Sequence, residues 1–456
     1  MRHRDHTGRE SGKSGSFATS RRQFLKLGAA GLLAVAVPWP VAASPATTYR
    51  VGVGRSTDGY AAALRAISAC ADWSPGLVAG RTVLIKPNLV AAGTAESGVA
   101  TDPQVVRAVV DLALAAGAVA VKIVEGYPGG NNFSACGYDF LQDYGGSGRV
   151  SLVDLNSQPS QLATVAGGLA YRQITMPDLV MAPDTCLISV AKLKTHAEAL
   201  ATLATKNVFG LPPVAPYKPP TENGRFAMHY RGLHQATVDI NLARPIDFAV
   251  VDGIWGMEGY GPFSGNPVRM NTVVAGINSV AVDRVCLEAM QIDQPLAQHL
   301  TYAARLGLGP ADINSVQIRG DTLATRAFSL PVFPPQVEYP RLDRPIFYPA
   351  GDQQTTASFT VSRPCVYRVD VVRTSETSQQ VDQVRLLRNW TGTQAGSVVV
   401  SWDGRDNQGE LVAPGVYTVR VEANAGQPAR NAFATAWVEV VAQPVVRRIF
   451  LPMINR

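Results

Sequence analysis

A chain of 456 residues is too long for one ordinary domain, so two or three domains are expected. Its formal net charge of +6 lies almost wholly in residues 1–43, which argues against a nucleic-acid-binding surface on the remainder. None of the five cysteines stands in a CxxC spacing, which argues against a zinc ribbon and an iron–sulfur cluster.

The first segment has the features of a twin-arginine signal peptide. Residues 20–26 read SRRQFLK, and the eleven apolar residues at 27–37 are too few to span a bilayer. Small residues at 41–43 suit cleavage, so we expect residues 1–43 to be removed; an uncleaved anchor is the alternative. The sequence therefore predicts contact with the twin-arginine translocase, transient membrane contact through the signal, and a periplasmic, extracellular or cell-surface location.

The next part, up to about residue 321, alternates apolar β-rich runs with helical segments. The predicted strands lie at 82–85, 119–124, 150–155, 185–191, 247–251 and 271–275. The predicted helices lie after an N-cap at Asp102 and at 197–209, 228–242, 280–290 and 296–306. A strand, a crossover helix and a second strand favour an α/β domain at 44–321 with a mostly parallel sheet and flanking helices.

The pattern changes beyond this domain. Residues 322–350 are rich in proline and are predicted to be a linker. Short alternating strands then indicate an all-β sandwich at 351–442. These strands are predicted at 357–361, 366–372, 398–402, 416–421 and 435–441. Residues 443–456 form a short C-terminal tail.

The strongest candidate site is the sequence KLKTH at 192–196. Alternate residues of a strand share a face, so Lys192 and Lys194 are expected to point the same way at the strand's carboxyl end, where open α/β sheets bind ligands. Thr195 and Glu198 have the spacing of a capping box, which predicts a helix from His196 to about residue 210. Two lysines beside a helix N-terminus favour a small anionic ligand.

Other polar residues end or follow predicted elements. Lys86 and Asn88 come after the strand at 82–85, Lys206 and Asn207 lie in the last turn of the predicted helix, and His234 lies on the helix at 228–242. The predicted ligand-binding residues are therefore Lys86, Asn88, Lys192, Lys194, Lys206, Asn207 and His234.

Two carboxylates complete the candidate site. Asp252 follows the strand at 247–251, and Glu258 comes six residues later in a stretch with four glycines. Three roles remain open: the carboxylates hold a divalent metal with His196, pair with the lysines, or act as base and acid. His196, Asp252 and Glu258 are the predicted catalytic residues and the predicted metal ligands. A purely structural glycine turn is the alternative.

Taken together, these stretches resemble the domain of unknown function family 362 over about residues 50–320. The shared motifs are LIKPN at 84–88, TDP at 101–103, VEG at 124–126, KLKTH at 192–196, KNVFG at 206–210, DG at 252–253 with GP at 261–262, and VD at 282–283. Some members of the family carry a ferredoxin-like iron–sulfur module, which implies a redox context. The cysteine spacing of this chain offers no such module.

The sandwich resembles the immunoglobulin-like module of flagellar hook-capping proteins and bacterial surface enzymes. The residues that carry this likeness are WDGRDNQG at 402–409 and PGVY at 414–417. The resemblance implies a spacer or adhesion role without catalysis.

The leading hypothesis is an exported α/β domain that binds a small anionic ligand, with a divalent metal as one option, and acts on it. The alternative is a non-catalytic ligand-binding or cell-surface scaffold protein. Whether the chain is an enzyme stays open at this point, as does its oligomeric state. An open pocket beside these residues favours an enzyme, whereas a closed network of ion pairs favours a structural role.

Overall fold

The computed structural model describes residues 48–130, 132–140, 144, 148–374, 381–426 and 430–444. The predicted signal peptide and nearly all of the predicted C-terminal tail lie outside these residues. Within the described part of the chain, no helix is both long and apolar enough to cross a membrane.

The first part of the described chain is built from strands and helices around one large sheet. Strands β1 to β11 are Tyr49–Arg55, Thr82–Pro87, Ala120–Glu125, Val150–Asp154, Ser160–Thr164, Gln173–Pro177, Thr185–His196, Leu200–Ala201, Phe248–Glu258, Asn266–Gly276 and Val316–Gly320. Helices α1 to α9 are Gly59–Cys70, Pro75–Val78, Pro103–Ala115, Asp178–Met181, Leu203–Asn207, Phe226–Tyr230, Leu233–Ala243, Ser279–Ala289 and Gln298–Arg305.

The strands of the large sheet follow the order β11-β1-β10-β9-β7-β2-β3-β4. Only β10 runs against its neighbours β1 and β9, and the other pairs along this order are parallel. The predicted α/β fold with a mostly parallel sheet is therefore confirmed, with β10 making the sheet mixed. Every residue of β7 is buried, as expected for a central parallel strand with helices on both faces.

Local signals explain α3 and α8. The Asp102 side chain accepts a hydrogen bond from the Gln104 amide, and Pro103 occupies the first turn of α3. The Asn278 side chain accepts from the Ala281 amide at the start of α8. Apolar residues of α1 and α3 pack on one face of the sheet, and those of α5, α7, α8 and α9 pack on the other.

One predicted helix is wrong, and another is interrupted. The predicted helix at 197–209 is replaced by the end of β7, a turn, the short strand β8 and the five-residue helix α5. Thr195 does not cap a helix, because its Oγ1 donates to the Gly259 carbonyl at 2.8 Å and so ties β7 to the chain after β9. The predicted helix at 228–242 is divided into α6 and α7 at Gly232, whose φ of 107° does not belong to a helix.

The C-terminal part forms two packed β-sheets, as predicted for an immunoglobulin-like sandwich. Strands β12 to β19 are Arg341–Leu342, Ile346–Phe347, Thr355–Val361, Cys365–Thr374, Val381–Thr393, Gly396–Trp402, Gly415–Asn424 and Ala432–Val440. One sheet has the order β12-β14-β17 and the other β13-β19-β18-β15-β16. The short strands β12 and β13, within the predicted linker, pair with β14 and β19.

The sandwich is fixed to the α/β domain by buried polar contacts. The Gln235 side chain on α7 donates to the Thr435 carbonyl at 2.7 Å and accepts from the Thr435 amide at 2.8 Å. The Thr435 hydroxyl also donates to the Arg231 carbonyl at 2.8 Å. The rings of Tyr230 and Phe433 pack with centroids 5.2 Å apart. These contacts place the beginning of β19 against the α/β domain.

Candidate functional site

A cavity of about 480 Å³ lies at the carboxyl ends of β2, β3 and β7. The loop at residues 260–264 and helix α6 contribute to its walls, together with Val332 and Arg430 from beyond the α/β domain. Its charged and histidine side chains are Lys86, Glu125, His196, Glu198, Lys206, Arg225, His229 and Arg430. Its aromatic side chains are Tyr127, Phe209, Phe226, Tyr260 and Phe263. The location is the one at which open α/β sheets bind ligands.

The cavity brings together only part of the predicted site. The predicted residues that line it are Lys86, Asn88, His196, Lys206 and Asn207. The predicted residues that lie outside its walls are Lys192, Lys194, His234, Asp252 and Glu258.

Lys86 and Glu125 form a buried ion pair in the wall. The Lys86 Nζ donates to Glu125 Oε2 and to the Pro87 carbonyl, each at 2.8 Å. Burial lowers the pKa of Lys86, and the neighbouring Glu125 carboxylate opposes that shift. Glu125 also accepts from the amides of Leu89 and Gly126, so its charge is well compensated within the fold.

Two asparagines join the ends of β2 and α5. The Asn88 side chain donates to Asn207 Oδ1 at 3.0 Å, and the Asn207 side chain donates to the Lys86 carbonyl at 2.8 Å and to Ser189 Oγ at 3.1 Å. These bonds fix α5 against the sheet and hold the neighbouring Lys206 at the cavity. The predicted ligand-binding asparagines thus have structural partners.

Lys206 lies in the last turn of α5 and is 8% exposed. Its Nζ lies 4.2 Å from the centre of the Phe209 ring, and no described residue forms a hydrogen bond or an ion pair with it. Burial is the main cause that lowers the pKa of Lys206 to about 7; Glu198 opposes the shift, and Arg225 and Lys86 add to it. Lys206 is therefore a buried cation that faces a cavity without a bonded counterion.

Asp283 positions the helix that carries Lys206. Its carboxylate accepts from the amides of Ala204 and Thr205, at 2.7 and 2.8 Å, and thus binds the beginning of α5. Burial raises the pKa of Asp283 to about 7, although these hydrogen bonds act in the opposite direction.

His196 has a defined tautomer. Its Nδ1 accepts from the amides of Glu198 and Ala199, both at 3.1 Å, so the neutral ring carries its proton on Nε2. Burial lowers the pKa of His196 well below its usual range, and the nearby Lys206 lowers it further. The ring is consequently a neutral group in the cavity wall at pH 7.

Glu198 is an ionic residue of the cavity rather than a helix cap. Its carboxylate lies 2.7 Å from His229 Nδ1 and 3.1 Å from a terminal nitrogen of Arg430. Burial by itself raises the pKa of Glu198, but its contacts with His229 and the charge of Arg430 outweigh this and bring the pKa to about 2. Glu198 therefore connects α6 and the sandwich at the rim of the cavity.

The predicted lysine pair of β7 is sealed inside the protein. Lys192 donates to Asp252 Oδ2 at 2.8 Å, and neither side chain is exposed. Asp252 also accepts from the amides of Asp102 and Ile254. Lys194 donates to the carbonyls of Val99 and Pro262. Of the open alternatives for Asp252, pairing with a lysine is the one that the structure contains.

The predicted metal grouping of His196, Asp252 and Glu258 does not form. Asp252 bonds Lys192 near the middle of β9, whereas Glu258 lies at the end of that strand and bonds Arg326 and the Ser329 amide. Among the described residues, no three or more His, Cys, Asp or Glu side chains come together as metal ligands. Strand β9 extends beyond the predicted end at 251, which carries Glu258 away from Asp252.

His234 also points elsewhere than predicted. Its ring stacks on His299 with centroids 5.5 Å apart, and their Nδ1 atoms lie 3.3 Å apart. Burial lowers the pKa of His234 to about 4, with Lys206 as a second cause, so the ring is neutral at pH 7. The two histidines form a buried contact between α7 and α9.

Sequence reasoning missed several residues of the cavity. Glu125 belongs to the VEG motif at 124–126, so its strand-end position was an available signal. Arg225 comes from the segment before α6, and Arg430 comes from the sandwich. No local pattern marks these two arginines, because only the tertiary arrangement brings them to the carboxyl ends of the strands.

Residues 83–288 match the family described as "Domain of unknown function (DUF362)", and residues 367–427 match the "FlgD Ig-like domain". Both resemblances noted from the sequence are thereby confirmed. A curated relative, the thylakoid-associated protein sll1697 of Synechocystis sp., is 26% identical over 238 residues, which are 51% of this chain and 70% of that protein.

Two solved structures have a weak likeness to the chain. The alkylpurine DNA glycosylase AlkC of Pseudomonas fluorescens has 13% identity, a TM-score of 0.16, and coverage of 36% of this chain and 45% of its own. The β-glucosidase EmGH1 of Erythrobacter marinus has 11% identity, a TM-score of 0.16, and coverage of 86% and 49%. The chain thus spans about half the length of each.

Proposed function

We propose that the domain at residues 83–288, which matches the DUF362 family model, binds a small organic anion in the cavity at the carboxyl ends of β2, β3 and β7. The observation that carries the proposal is Lys206, a buried ammonium group that lines the cavity and has no bonded counterion among the described residues. The bound anion is its partner.

The charges of the cavity wall favour an anion over a cation. Four cationic side chains line the cavity against two carboxylates, so the formal net charge of the wall is +2. Arg225 adds to this field, because its guanidinium donates to the carbonyls of Pro212, Gly126 and Gly210 and pairs with no carboxylate of the described residues. Walls of one charge sign concentrate ligands of the opposite sign.

The cost of burying charge strengthens this interpretation. A buried charge that lacks its partner destabilises the folded protein by several kcal/mol, on the order of 3–5. The fold avoids that cost at Lys86 and Lys192, each of which has a carboxylate at 2.8 Å. At Lys206, which lines the cavity, the cost of burying an unpaired charge remains.

The size and lining of the cavity indicate an organic ligand. A volume of about 480 Å³ lies within the range of small-molecule sites, which is roughly 300–1,000 Å³. Aromatic rings line it beside the charged groups, so an aromatic carboxylate fits both features of the wall. We also propose that the protein that carries this cavity is exported, because residues 20–26 contain a twin-arginine motif.

Isothermal titration calorimetry of the mature protein tests the proposal with benzoate and with benzylammonium, which has the opposite charge and a similar shape. We expect benzoate to bind and benzylammonium not to bind. Lys206→Met is expected to weaken benzoate binding at least about tenfold, which is ~1.4 kcal/mol. Lys218→Met, at an exposed lysine outside the cavity wall, is the matched control and should leave the affinity unchanged.

Two results would contradict the proposal. One is equal binding of benzoate and benzylammonium, which would show that charge does not select the ligand. The other is equal loss of affinity in the Lys206 and Lys218 variants, which would place the bound anion on the protein surface. A folded protein that binds none of the small carboxylates would instead favour the scaffold alternative.

A further inference from the structure

We propose that Lys206 forms an imine with the carbonyl carbon of a small oxo acid bound in the cavity. The inference rests on the proposed anion site and adds a covalent step to it. It names a substrate class, a carbonyl compound that also carries an acidic group.

The geometry of Lys206 suits a nucleophilic amine. Within the described part of the chain, its Nζ has no carboxylate or carbonyl partner that would occupy the nitrogen. Lys206 lines the cavity, and the Phe209 ring covers the Nζ at 4.2 Å. By contrast, the Nζ atoms of Lys86 and Lys192 donate to carboxylates, and that of Lys194 donates to carbonyl oxygens. Lys206 is the one lysine among the described buried ones whose nitrogen is open to a ligand.

The surroundings keep much of the amine neutral. The cations Arg225 and Lys86 lie near it, the neutral rings of His196, His234 and His299 surround α5, and Glu198 is the acidic group that opposes them. Burial with these neighbours brings the pKa of Lys206 to about 7, so about half of the molecules carry a free base at that pH.

With Lys206 neutral, the cavity still attracts an acid. The remaining wall has three cations, Lys86, Arg225 and Arg430, against the two carboxylates Glu125 and Glu198. An acidic group on the substrate therefore has partners other than the attacking amine. Because the wall cations bind the acidic group and Lys206 attacks the carbonyl carbon, the substrate is an oxo acid rather than a neutral aldehyde.

The step balances without an oxidant or a reductant. The Nζ lone pair forms a C–N bond as the C=O π bond breaks, and one proton passes from nitrogen to oxygen to give a carbinolamine. The carbinolamine then loses its oxygen as water together with the second nitrogen proton, which leaves the neutral imine. His229, hydrogen-bonded to Glu198, lines the same cavity and is the group we assign to carry these protons.

Reductive trapping tests the inference. Mature protein is incubated with phenylpyruvate and sodium cyanoborohydride and measured by intact-mass and peptide mass spectrometry. We expect one stable adduct per chain, located on Lys206 and forming faster as the pH rises through 7. Phenyllactate, which lacks the carbonyl group, should give no adduct.

Two variants separate covalent chemistry from binding. Lys206→Arg keeps a positive charge but has no amine, so it should bind benzoate and give no adduct. Lys218→Met should retain the adduct. If benzoate binds but phenylpyruvate gives no adduct, or labels exposed lysines equally, the imine is refuted while the anion site stands. If benzoate does not bind, the proposed function itself has failed.

Discussion

Lys192 and Lys206 are both buried lysines of one α/β domain, but only Lys192 has an acidic partner. The Lys192 ammonium lies 2.8 Å from Asp252 with no exposed surface, whereas Lys206 borders a cavity and bonds no carboxylate. Proteins keep a destabilising charge where function uses it, because selection acts on function as well as on stability. The difference thus separates a lysine that serves the fold from one that remains available to a ligand.

The largest expected effect on stability comes from breaking the buried ion pair of Lys192 and Asp252. Asp252→Ala should lower the free energy of unfolding by about 3–5 kcal/mol, because it leaves the Lys192 charge buried and unpaired. The amides of Asp102 and Ile254 also lose their acceptor. Urea unfolding followed by circular dichroism measures the loss. The double variant Lys192→Met/Asp252→Leu should recover much of it, and an equal loss in both would show that the ion pair is not the cause.

Asp283 links the two sides of the comparison, since it stabilises the fold and positions Lys206. Asp283→Ala should lower the free energy of unfolding by about 2–3 kcal/mol, because two buried amides of α5 lose their acceptor. It should also weaken benzoate binding several-fold by loosening α5. Asp312→Ala is the matched control, since Asp312 accepts from the Asn314 amide at an exposed turn. An unchanged benzoate affinity in Asp283→Ala would contradict the positioning role.

Lys206→Met should change the free energy of unfolding in the opposite direction from Asp252→Ala. It removes a desolvated charge, so we expect it to raise the free energy of unfolding by roughly 3–5 kcal/mol at pH 7 while benzoate affinity falls. The folded pKa of about 7 lies below the ordinary 10.5, so folding releases a proton between these values. Wild-type stability should therefore gain up to ~1.4 kcal/mol per pH unit from pH 7 to 10.5 relative to the variant.

Urea unfolding of both proteins across this pH range measures the difference. The advantage of the methionine variant should be greatest at pH 7 and below, and it should vanish near pH 10.5. Lys218→Met is the control, because an exposed lysine keeps a similar pKa in both states. A constant difference between wild type and Lys206→Met would show that Lys206 titrates normally in the folded protein.

The parts of the fold that could be predicted from the sequence are those set by local signals. The apolar runs at β2, β3 and β7 identified buried parallel strands, and Asp102 identified a helix start through its capping side chain. The helix predicted after Thr195 does not form, because a tertiary hydrogen bond of Thr195 outweighs the capping-box spacing of Thr195 and Glu198. The Thr195 hydroxyl bonds Gly259, and this contact extends β7 instead of opening a helix.

For the candidate site, the sequence could predict only which polar residues lie at the ends of strands and helices. Lys86 and Lys206 were placed correctly at the cavity, whereas Lys192 was assigned to a ligand because its partner was unknown. Asp252 meets Lys192 only because β9 lies beside β7 in the sheet, and strand order is not a local property of the sequence. The edge strand β16 was missed for a related reason, since its largely exposed residues show no regular alternation.

The smallest expected change in stability concerns Arg430 and the role of the sandwich. Its side chain is 62% exposed and pairs with Glu198 at 3.1 Å, so Arg430→Met should lower the free energy of unfolding by less than about 1 kcal/mol. The Gln235 contacts still hold the sandwich in place. Benzoate affinity should nevertheless fall about threefold, or ~0.7 kcal/mol, because the cavity loses one cation.

Calorimetry of Arg430→Met beside Arg388→Met separates a cavity wall from a spacer. Arg388 is an exposed arginine of β16 that does not line the cavity, so its variant should bind benzoate like the wild type. If both variants bind equally well, the sandwich does not contribute to the site, and the spacer role implied by its resemblance stands. If only Arg430→Met is impaired, the sandwich supplies a ligand-selecting charge to a cavity that the α/β domain alone leaves incomplete.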